Sequence, residues 1–357
     1  MNGYASWLGR SILTIVGLAL AVAACKDNTT SPPLTTSTYT ETKLVADDQG
    51  SGAAIVDANL VNPWGLAFGS TGTLWVSNNH SGTSTLYDAT GAKLQTVVNI
   101  PSKTAPTGGS PTGVVYNSTS DFVIPEASAA RFIFAGEDGT ISAWASGMTD
   151  AKVVADRSSS DAVYKGIAMA TDGGNNFIYL TNFKKNTIDV FNASYGYSKS
   201  FTDATIPAGY APFGIQNIGG MLYVTYAKQK GPDNEDDDPA VGNGYVDIFN
   251  PDGTLQRRFA SNGLLNSPWA VVMAPSGFGS VSGEILIGNF GDGHIGAYDP
   301  STGVLIGQLR DQNNVTIAIE GLWALTFGPG SNATTLYFAA GPDDESHGLL
   351  GTLKLTQ

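Results

Sequence analysis

Polar side chains recur at equivalent positions along the sequence, each directly after a short apolar segment. The residues at this position are Asn78, Glu126, Asn182, Tyr226 and Asn289. An amide both donates and accepts hydrogen bonds, and a carboxylate is a hard anionic ligand. If these side chains converge, they predict a binding ring for a small ligand, in which Glu126, Asn182 and Asn289 are candidate ligands of Ca²⁺. The alternative is that the same side chains cap strand ends and bind only water.

The three histidines are a second group that could do chemistry. His80, His294 and His347 each follow the same kind of apolar segment, but at different offsets. Neutral imidazole is a common zinc ligand and a frequent general base. Because the offsets differ, the sequence does not predict that the three rings meet at one metal ion.

Carboxylates concentrate in the segment 231–239, and residues 343–345 add three more. Clustered carboxylates suit Ca²⁺, but the spacing of an EF-hand loop is missing, so a solvated acidic loop is the alternative. Four aromatic residues lie near the starts of other apolar segments, each directly before a small residue. These rings would either stack against a sugar or peptide or pack in the interior; they are Trp64, Phe213, Trp269 and Trp323.

The elements that must position these residues form a repeat. An apolar segment with a small central residue recurs six times, at intervals of 48 to 56 residues, and three further strand-like segments follow it. This period is the size of one four-stranded propeller blade. A small residue fits the innermost strand, where blades crowd the central channel. The small residues are Gly65, Gly113, Gly166, Gly214, Ala270 and Ala324.

The two ends of the repeat region complete one another. The sixth repeat ends without a fourth strand, whereas the region begins with Thr42-Lys-Leu-Val-Ala-Asp47, which matches the fourth strand that begins at Ala151. We therefore predict an all-β, six-bladed β-propeller over residues 42–357, with four-stranded blades and a ring closed by the N-terminal strand. In the second blade the pattern predicts the second strand at Asp121–Ile124, which places Glu126 in the loop that follows it.

The N-terminal segment predicts export. Residues 1–25 read as a lipoprotein signal peptide, with an apolar run after Arg10 and a lipobox, Val22-Ala-Ala-Cys25, that ends at the one Cys of the chain. An ordinary secretory signal is the alternative. Residues 26–41 are a Ser/Thr/Pro-rich tether. Lys26 favours the outer membrane, so we expect a bacterial lipoprotein anchored through Cys25 on the periplasmic or surface side.

Composition excludes several classes of protein. The net charge is −13 and only 14% of the residues are charged, so no basic surface is available for nucleic acid. One Cys among 357 residues excludes a disulfide framework and a CxxC zinc site. Phosphate-binding loops and dinucleotide fingerprints are absent from the sequence. We expect a monomer with a protein or small-molecule ligand.

The repeat motifs resemble those of NHL-type propellers. More closely, six segments are similar to an uncharacterised family of exported bacterial propeller proteins; they begin at Asn62, Thr83, Gly136, Tyr164, Gly242 and Gly288, and include Asn62-Pro-Trp-Gly-Leu-Ala-Phe68 and Gly288-Asn-Phe-Gly-Asp-Gly293. The resemblance implies the fold and export, but no catalytic residues. We expect a lipid-anchored module that binds a ligand or protein through the loops between second and third strands. The alternative is a divalent-metal-dependent hydrolase, lactonase or lyase with its site on the propeller axis.

Overall fold

Six sheets make up residues 36–356, the part of the chain that the computed structural model describes. Five are four-stranded antiparallel sheets formed from one sequence repeat each, and the sixth combines the last repeat with N-terminal strands, two of its pairings being parallel. The chain begins with β1 (Thr38–Ala46) and the short β2 (Ile55–Val56). Blade 1 consists of β3 (Pro63–Phe68), β4 (Leu74–Asn78), β5 (Thr83–Tyr87) and β6 (Lys93–Asn99). Blade 2 consists of β7 (Pro111–Tyr116), β8 (Phe132–Gly136), β9 (Thr140–Trp144) and β10 (Lys152–Asp156).

The next two blades have the same order of strands. Blade 3 consists of β11 (Tyr164–Asp172), β12 (Asn175–Asn182), β13 (Thr187–Asn192) and β14 (Tyr197–Phe201). Blade 4 consists of β15 (Tyr210–Ile218), β16 (Met221–Lys228), β17 (Gly244–Phe249) and β18 (Leu255–Ser261).

The last two blades complete the ring. Blade 5 consists of β19 (Pro268–Met273), β20 (Ile285–Asn289), β21 (Ile295–Tyr298) and β22 (Leu305–Gln308). The short β23 (Arg310–Asp311) precedes blade 6, which contains β24 (Leu322–Phe327), β25 (Leu336–Ala340), β26 (Leu349–Leu355) and, as its fourth strand, β1. The described residues also contain short 3₁₀ helices at Ser158–Ser160, Gly279–Val281 and Gly330–Asn332. The predicted all-β, six-bladed fold is confirmed.

Burial explains why these segments form middle strands. Every residue of β4, β8, β20 and β25 is buried, whereas the fourth strand β6 is exposed over its first four residues. A middle strand packs against a neighbouring blade on both faces, so it is apolar throughout rather than alternating. Aromatic and aliphatic side chains between neighbouring blades therefore form the core.

Inner strands of adjacent blades approach so closely that small residues are required there. A Cβ atom on Gly65 would lie 2.7 Å from the carbonyl oxygen of Thr112, and one on Gly214 would lie 2.0 Å from that of Trp269. These are backbone contacts, which a side-chain rotation cannot relieve. The position that the sequence repeats as Gly or Ala is thus a blade-to-blade contact.

The N-terminal strand closes the ring as predicted. β1 pairs antiparallel with β26, from Tyr39 opposite Leu355 to Ala46 opposite Leu349. The strand begins at Thr38, earlier than the predicted start of the domain at residue 42. Tyr39 is fully buried, and its hydroxyl donates a 2.8 Å hydrogen bond to the carbonyl oxygen of Phe278.

The predicted second strand of blade 2 was wrong. That strand is β8, and Asp121–Ile124 lies in the long connection from β7 to β8. Phe122 and Ile124 are fully buried, and the amide of Phe122 donates to the carbonyl of Ala193. The apolar pattern of this segment therefore reflects packing of a loop against blade 3, not a strand of blade 2.

The predicted signal peptide, Cys25 and most of the tether lie outside the described residues. Between residues 36 and 356, no helix has the length and apolar character needed to span a bilayer.

Candidate functional site

An axial depression opens on the face formed by the loops between second and third strands, which we call the loop face. It has a volume of about 410 Å³, and all six blades contribute to its wall. Its wall includes, in the order of blades 1 to 6, Trp64, Glu137, Lys165, Asp236, Phe290 and Glu345. Because the first strand of each blade starts on this face, residues at these starts surround the propeller axis.

Lys165, the second residue of β11, is the buried charge of the depression. Its side chain is only 2% exposed, and its Nζ lies 2.5 Å from Glu137 Oε1 and 3.3 Å from Asp236 Oδ1. Burial by itself would lower the pKa of Lys165, but the two carboxylates outweigh burial and hold the pKa above its usual value. Asn79 donates to the other oxygen of Glu137 at 2.8 Å, which fixes this carboxylate beside the lysine.

The carboxyl group of Glu345 is a weaker acid than an ordinary glutamate. Burial, reinforced by the nearby Glu137, raises the pKa of Glu345 to about 7, while Lys165 acts in the opposite direction. Asp343, Asp344 and Glu345 all have left-handed backbones, with φ of 55°, 49° and 65°. Such conformations are unfavourable for residues other than glycine, so the loop spends free energy to hold Glu345 at the depression.

Three polar atoms of the residues that line the depression are buried without a hydrogen-bond partner in the described protein. They are Trp64 Nε1, Asp237 Oδ2 and Glu345 Oε1. Burial also raises the pKa of Asp237. Ser267 lies near Asp237 and Asn62 near Glu345, and each lowers the pKa of its carboxyl neighbour in part, without a hydrogen bond of normal geometry. A buried polar atom without a partner costs roughly 1–3 kcal/mol, so these atoms favour a ligand or ordered water at the depression.

The aromatic residues of the sequence pattern pack on one another beneath the depression. The rings of Trp64 and Trp323 are stacked with centroids 3.5 Å apart, and Phe290 stacks on the opposite side of Trp323 at 4.0 Å. Trp64 and Trp323 are 3% and 2% exposed. The rings were expected either to stack against a sugar or peptide or to pack in the interior. The structure favours packing, because the ring faces already cover one another.

The predicted ring of strand-end residues does not line the depression. Asn78 donates to the hydroxyls of Thr83 and Thr85 in its own blade. Asn182 donates to Asp189 and accepts from the amide of Val163.

The other two buried members of that ring are Asn289 and Tyr226. Asn289 donates to the carbonyl of Leu264 and to Asp292. Tyr226 is fully buried, and burial raises the pKa of its hydroxyl well above the usual value, with Asp247 adding to the shift. Asn78, Asn182 and Asn289 thus join the second strand to the third strand or to the incoming chain, which matches the alternative that they cap strand ends. The buried hydroxyl of Tyr226 makes no hydrogen bond of normal geometry among the described residues.

Glu126 lies on the opposite face from the other predicted ring residues. It belongs to the connection between β7 and β8, that is, between a first and a second strand, because the second strand of blade 2 starts later than predicted. The proposed Ca²⁺ set of Glu126, Asn182 and Asn289 is therefore not brought together.

The histidines separate into three environments. His80 lines the depression, 3.4 Å from the amide nitrogen of Asn62, and His294 lies 3.4 Å from Asp292. His347 Nδ1 lies 3.0 Å from Asp47 and 3.1 Å from Asp48. Across residues 36–356, Asp47, Asp48 and His347 are the one group of potential metal ligands that approach within 4.8 Å of one another, and they lie outside the depression.

Lys165 and Glu137 were not among the site residues predicted from the sequence. A signal for Lys165 was present, because the aligned first strands carry Trp64, Thr112, Phe213, Trp269 and Trp323 where blade 3 carries a lysine. A charged residue at a buried position of a repeat is a departure that points to function. Glu137 was missed because the wrong second strand was chosen in blade 2.

The solved structures with a similar fold include two lyase structures. Streptogramin B lyase superimposes with a TM-score of 0.52 at 14% identity, over 89% of this chain and 97% of that one. A catalytically inactive variant of virginiamycin B lyase from Staphylococcus aureus, solved with quinupristin, gives 0.52 at 15% identity, over 89% and 100%. At such low identity these likenesses show the propeller fold alone.

The sequence relatives are viral, and no family model matches the chain. An uncharacterized protein of Acanthamoeba polyphaga mimivirus is 34% identical over 327 residues, which cover 84% of this chain and 76% of that protein. A second uncharacterized mimivirus protein is 33% identical over 318 residues, covering 84% and 82%. The chain therefore belongs to the protein family that includes these two mimivirus proteins.

Proposed function

We propose that this propeller is a binding module whose axial depression takes a small ligand with a positively charged amino group. The unpartnered oxygens of Asp237 and Glu345 carry this proposal, because each needs a hydrogen-bond donor. The indole nitrogen of Trp64 is an unpartnered donor at the same site, so the ligand would also present an acceptor such as a hydroxyl.

The charges of the depression favour a cation. The lining carries four carboxylates against two lysines, Lys165 and Lys230, and Lys165 is paired with two of the carboxylates, Glu137 and Asp236. The acidic segment 231–239 and residues 343–345 lie in loops of the same face, so they would steer cations toward the opening. A volume of about 410 Å³ is within the usual size of small-molecule sites.

Binding of matched amine and alcohol pairs tests this function. We expect ethanolamine and putrescine to bind in calorimetric titrations, and ethylene glycol and butanediol, which lack the charge, to bind far more weakly. Glu345→Gln and Asp237→Asn should each weaken amine binding about tenfold or more, the worth of one charge-assisted hydrogen bond. Asp252→Asn removes an exposed carboxylate in the turn between β17 and β18 and is the control. Equal binding of amines and alcohols would contradict the proposal.

Export and lipidation are part of the same proposal. They are supported by the apolar run and lipobox that end at Cys25. Cys25→Ser should release the protein from bacterial membranes into the soluble fraction, as judged by fractionation and immunoblotting. Unchanged membrane association of the variant would contradict a lipid anchor.

Acid–base catalysis is a second candidate function. Glu345, with a pKa of about 7, can exchange a proton near neutral pH beside the charged Lys165. This arrangement suits a hydrolase or lyase, in which a carboxyl group of raised pKa donates a proton. The metal-dependent version has less support, since among the described residues no cluster of metal ligands lines the depression.

A further inference from the structure

A second cavity lies between blades 1 and 2, on the face opposite the axial depression. It has a volume of about 370 Å³ and is bordered by the turn between β3 and β4, the start of β8 and the end of β9. Trp75, Tyr116, Phe132 and Trp144 form its aromatic wall, and Arg131 lies beside them. We call it the interblade cavity.

The aromatic wall presents ring surface rather than polar groups. Trp75 and Phe132 are stacked at 3.9 Å and almost fully buried, so they form the rigid base. Trp144 lies 4.7 Å from Trp75 and is partly exposed, as is Tyr116. The indole nitrogen of Trp144 donates to the carbonyl of Met148 at 2.8 Å, so the ring face is what remains for a ligand.

Arg131 has a fixed backbone and an unused side chain. Its amide donates to Trp144 and its carbonyl accepts from Asn117, at 2.7 and 2.8 Å. Its guanidinium makes no hydrogen bond, ion pair or ring contact within residues 36–356. Every other arginine of that range is engaged by a carboxylate, a carbonyl or an aromatic ring: Arg157, Arg257, Arg258 and Arg310.

We propose that the interblade cavity binds a carboxylate carried on a six-membered ring. The guanidinium of Arg131 matches a carboxylate in two parallel hydrogen bonds, and the partly exposed rings of Tyr116 and Trp144 would pack against one face of the ligand ring. The hydroxyls of Ser70 and Ser146 border the cavity and can bond ring substituents. An aromatic acid and a uronic acid share this chemistry, and binding distinguishes them.

Calorimetric titration of the full chain with two acids and their uncharged matches tests the proposal. The pairs are phenylacetate with phenylethanol and glucuronate with glucose. We expect at least one acid to bind and its uncharged match to bind about tenfold more weakly or not at all. Arg131→Gln should abolish this preference, whereas Arg310→Gln, which removes a guanidinium that bonds a loop carbonyl, should keep it.

A spectroscopic readout locates the ligand independently of stability. Addition of the acid should shift the indole N–H resonance of Trp144, and Glu345→Gln, on the other face, should not alter the affinity. Failure of both acids to bind would overturn the proposal, as would equal binding of acid and uncharged match. An unchanged affinity in folded Arg131→Gln would overturn it too.

Discussion

Lys165 shows how one residue sets the electrostatics of the loop face. Because it is buried, it must be paired, and Glu137 and Asp236 pair with it from blades 2 and 4. These three residues come from three blades and have no shared sequence motif. Their juxtaposition therefore could not be predicted from the sequence, although an isolated lysine in a buried repeat position was visible there.

Glu345 predicts a pH-dependent affinity for amines. The carboxyl group, with a pKa of about 7, attracts an ammonium group only when ionised, so putrescine binding should strengthen from about pH 6 to about pH 8. In the free protein the same ionisation should cost stability as pH rises from the ordinary carboxyl range to about 7, because the folded state holds the proton more tightly. Titrations and thermal melts across this range measure both effects.

Two variants serve as controls for this pH profile. Glu345→Gln should flatten it and should lose less stability on raising the pH. Lys165→Met removes a positive charge that lowers the pKa of Glu345, so the midpoint should move to higher pH. An unaltered midpoint in both variants would show that another group titrates.

At the scale of elements, the strand-end residues illustrate a structural role that sequence reasoning left open. Asn78, Asn182 and Asn289 end the second strands, and their amides reach the third strand or the incoming chain. Repetition of a polar residue at the predicted ends of five of the six second strands was compatible with a binding ring or with strand capping. Side-chain direction decides between them, and direction depends on how blades pack.

Alanine substitutions of two glycines at the blade-to-blade contact should lower the stability of the protein by different amounts. A Cβ atom on Gly214 would lie 2.0 Å from the carbonyl oxygen of Trp269, whereas one on Gly166, at the same position of the preceding blade, would lie 3.1 Å from Phe213. Gly214→Ala should therefore lower the free energy of unfolding by about 1–3 kcal/mol, and Gly166→Ala by less. Urea denaturation measures both. Equal stabilities, or the reverse order, would contradict this account of the inner strands.

At the scale of the whole molecule, stability depends on ring closure by β1. Tyr39 anchors that strand by a hydrogen bond to Phe278 and by ring contact at 4.6 Å. Without β1, the edge of β26 would be unpaired, and unpaired edges promote aggregation.

Substitution of Tyr39 measures the strength of this closure. Tyr39→Ala should destabilise the propeller by about 3–5 kcal/mol through the cavity it leaves. Tyr39→Phe should cost about 1 kcal/mol, the value of a net hydrogen bond. Chemical denaturation gives both values, and Tyr197→Ala, at a tyrosine 42% exposed, is the control. A small loss in Tyr39→Ala, similar to the control, would mean that β1 does not hold the ring together.

The sequence by itself determined the architecture of this protein. Strand formation and blade size are local and periodic properties, so six repeats and the match between Thr42–Asp47 and the fourth strand at Ala151 were sufficient to predict the closed ring. The local pattern failed at Asp121–Ile124, where a buried loop has the same apolar composition as a strand.

Only the tertiary structure decided where the chemistry lies. The axial depression combines side chains of all six blades, and the interblade cavity combines two turns with residues of six strands from two blades. The spacing of these residues along the chain carries no information about their separation in space. Their charges, burial and missing partners exist only after the ring has closed, because closure is what removes water from Lys165 and Glu345 and brings their partners within reach.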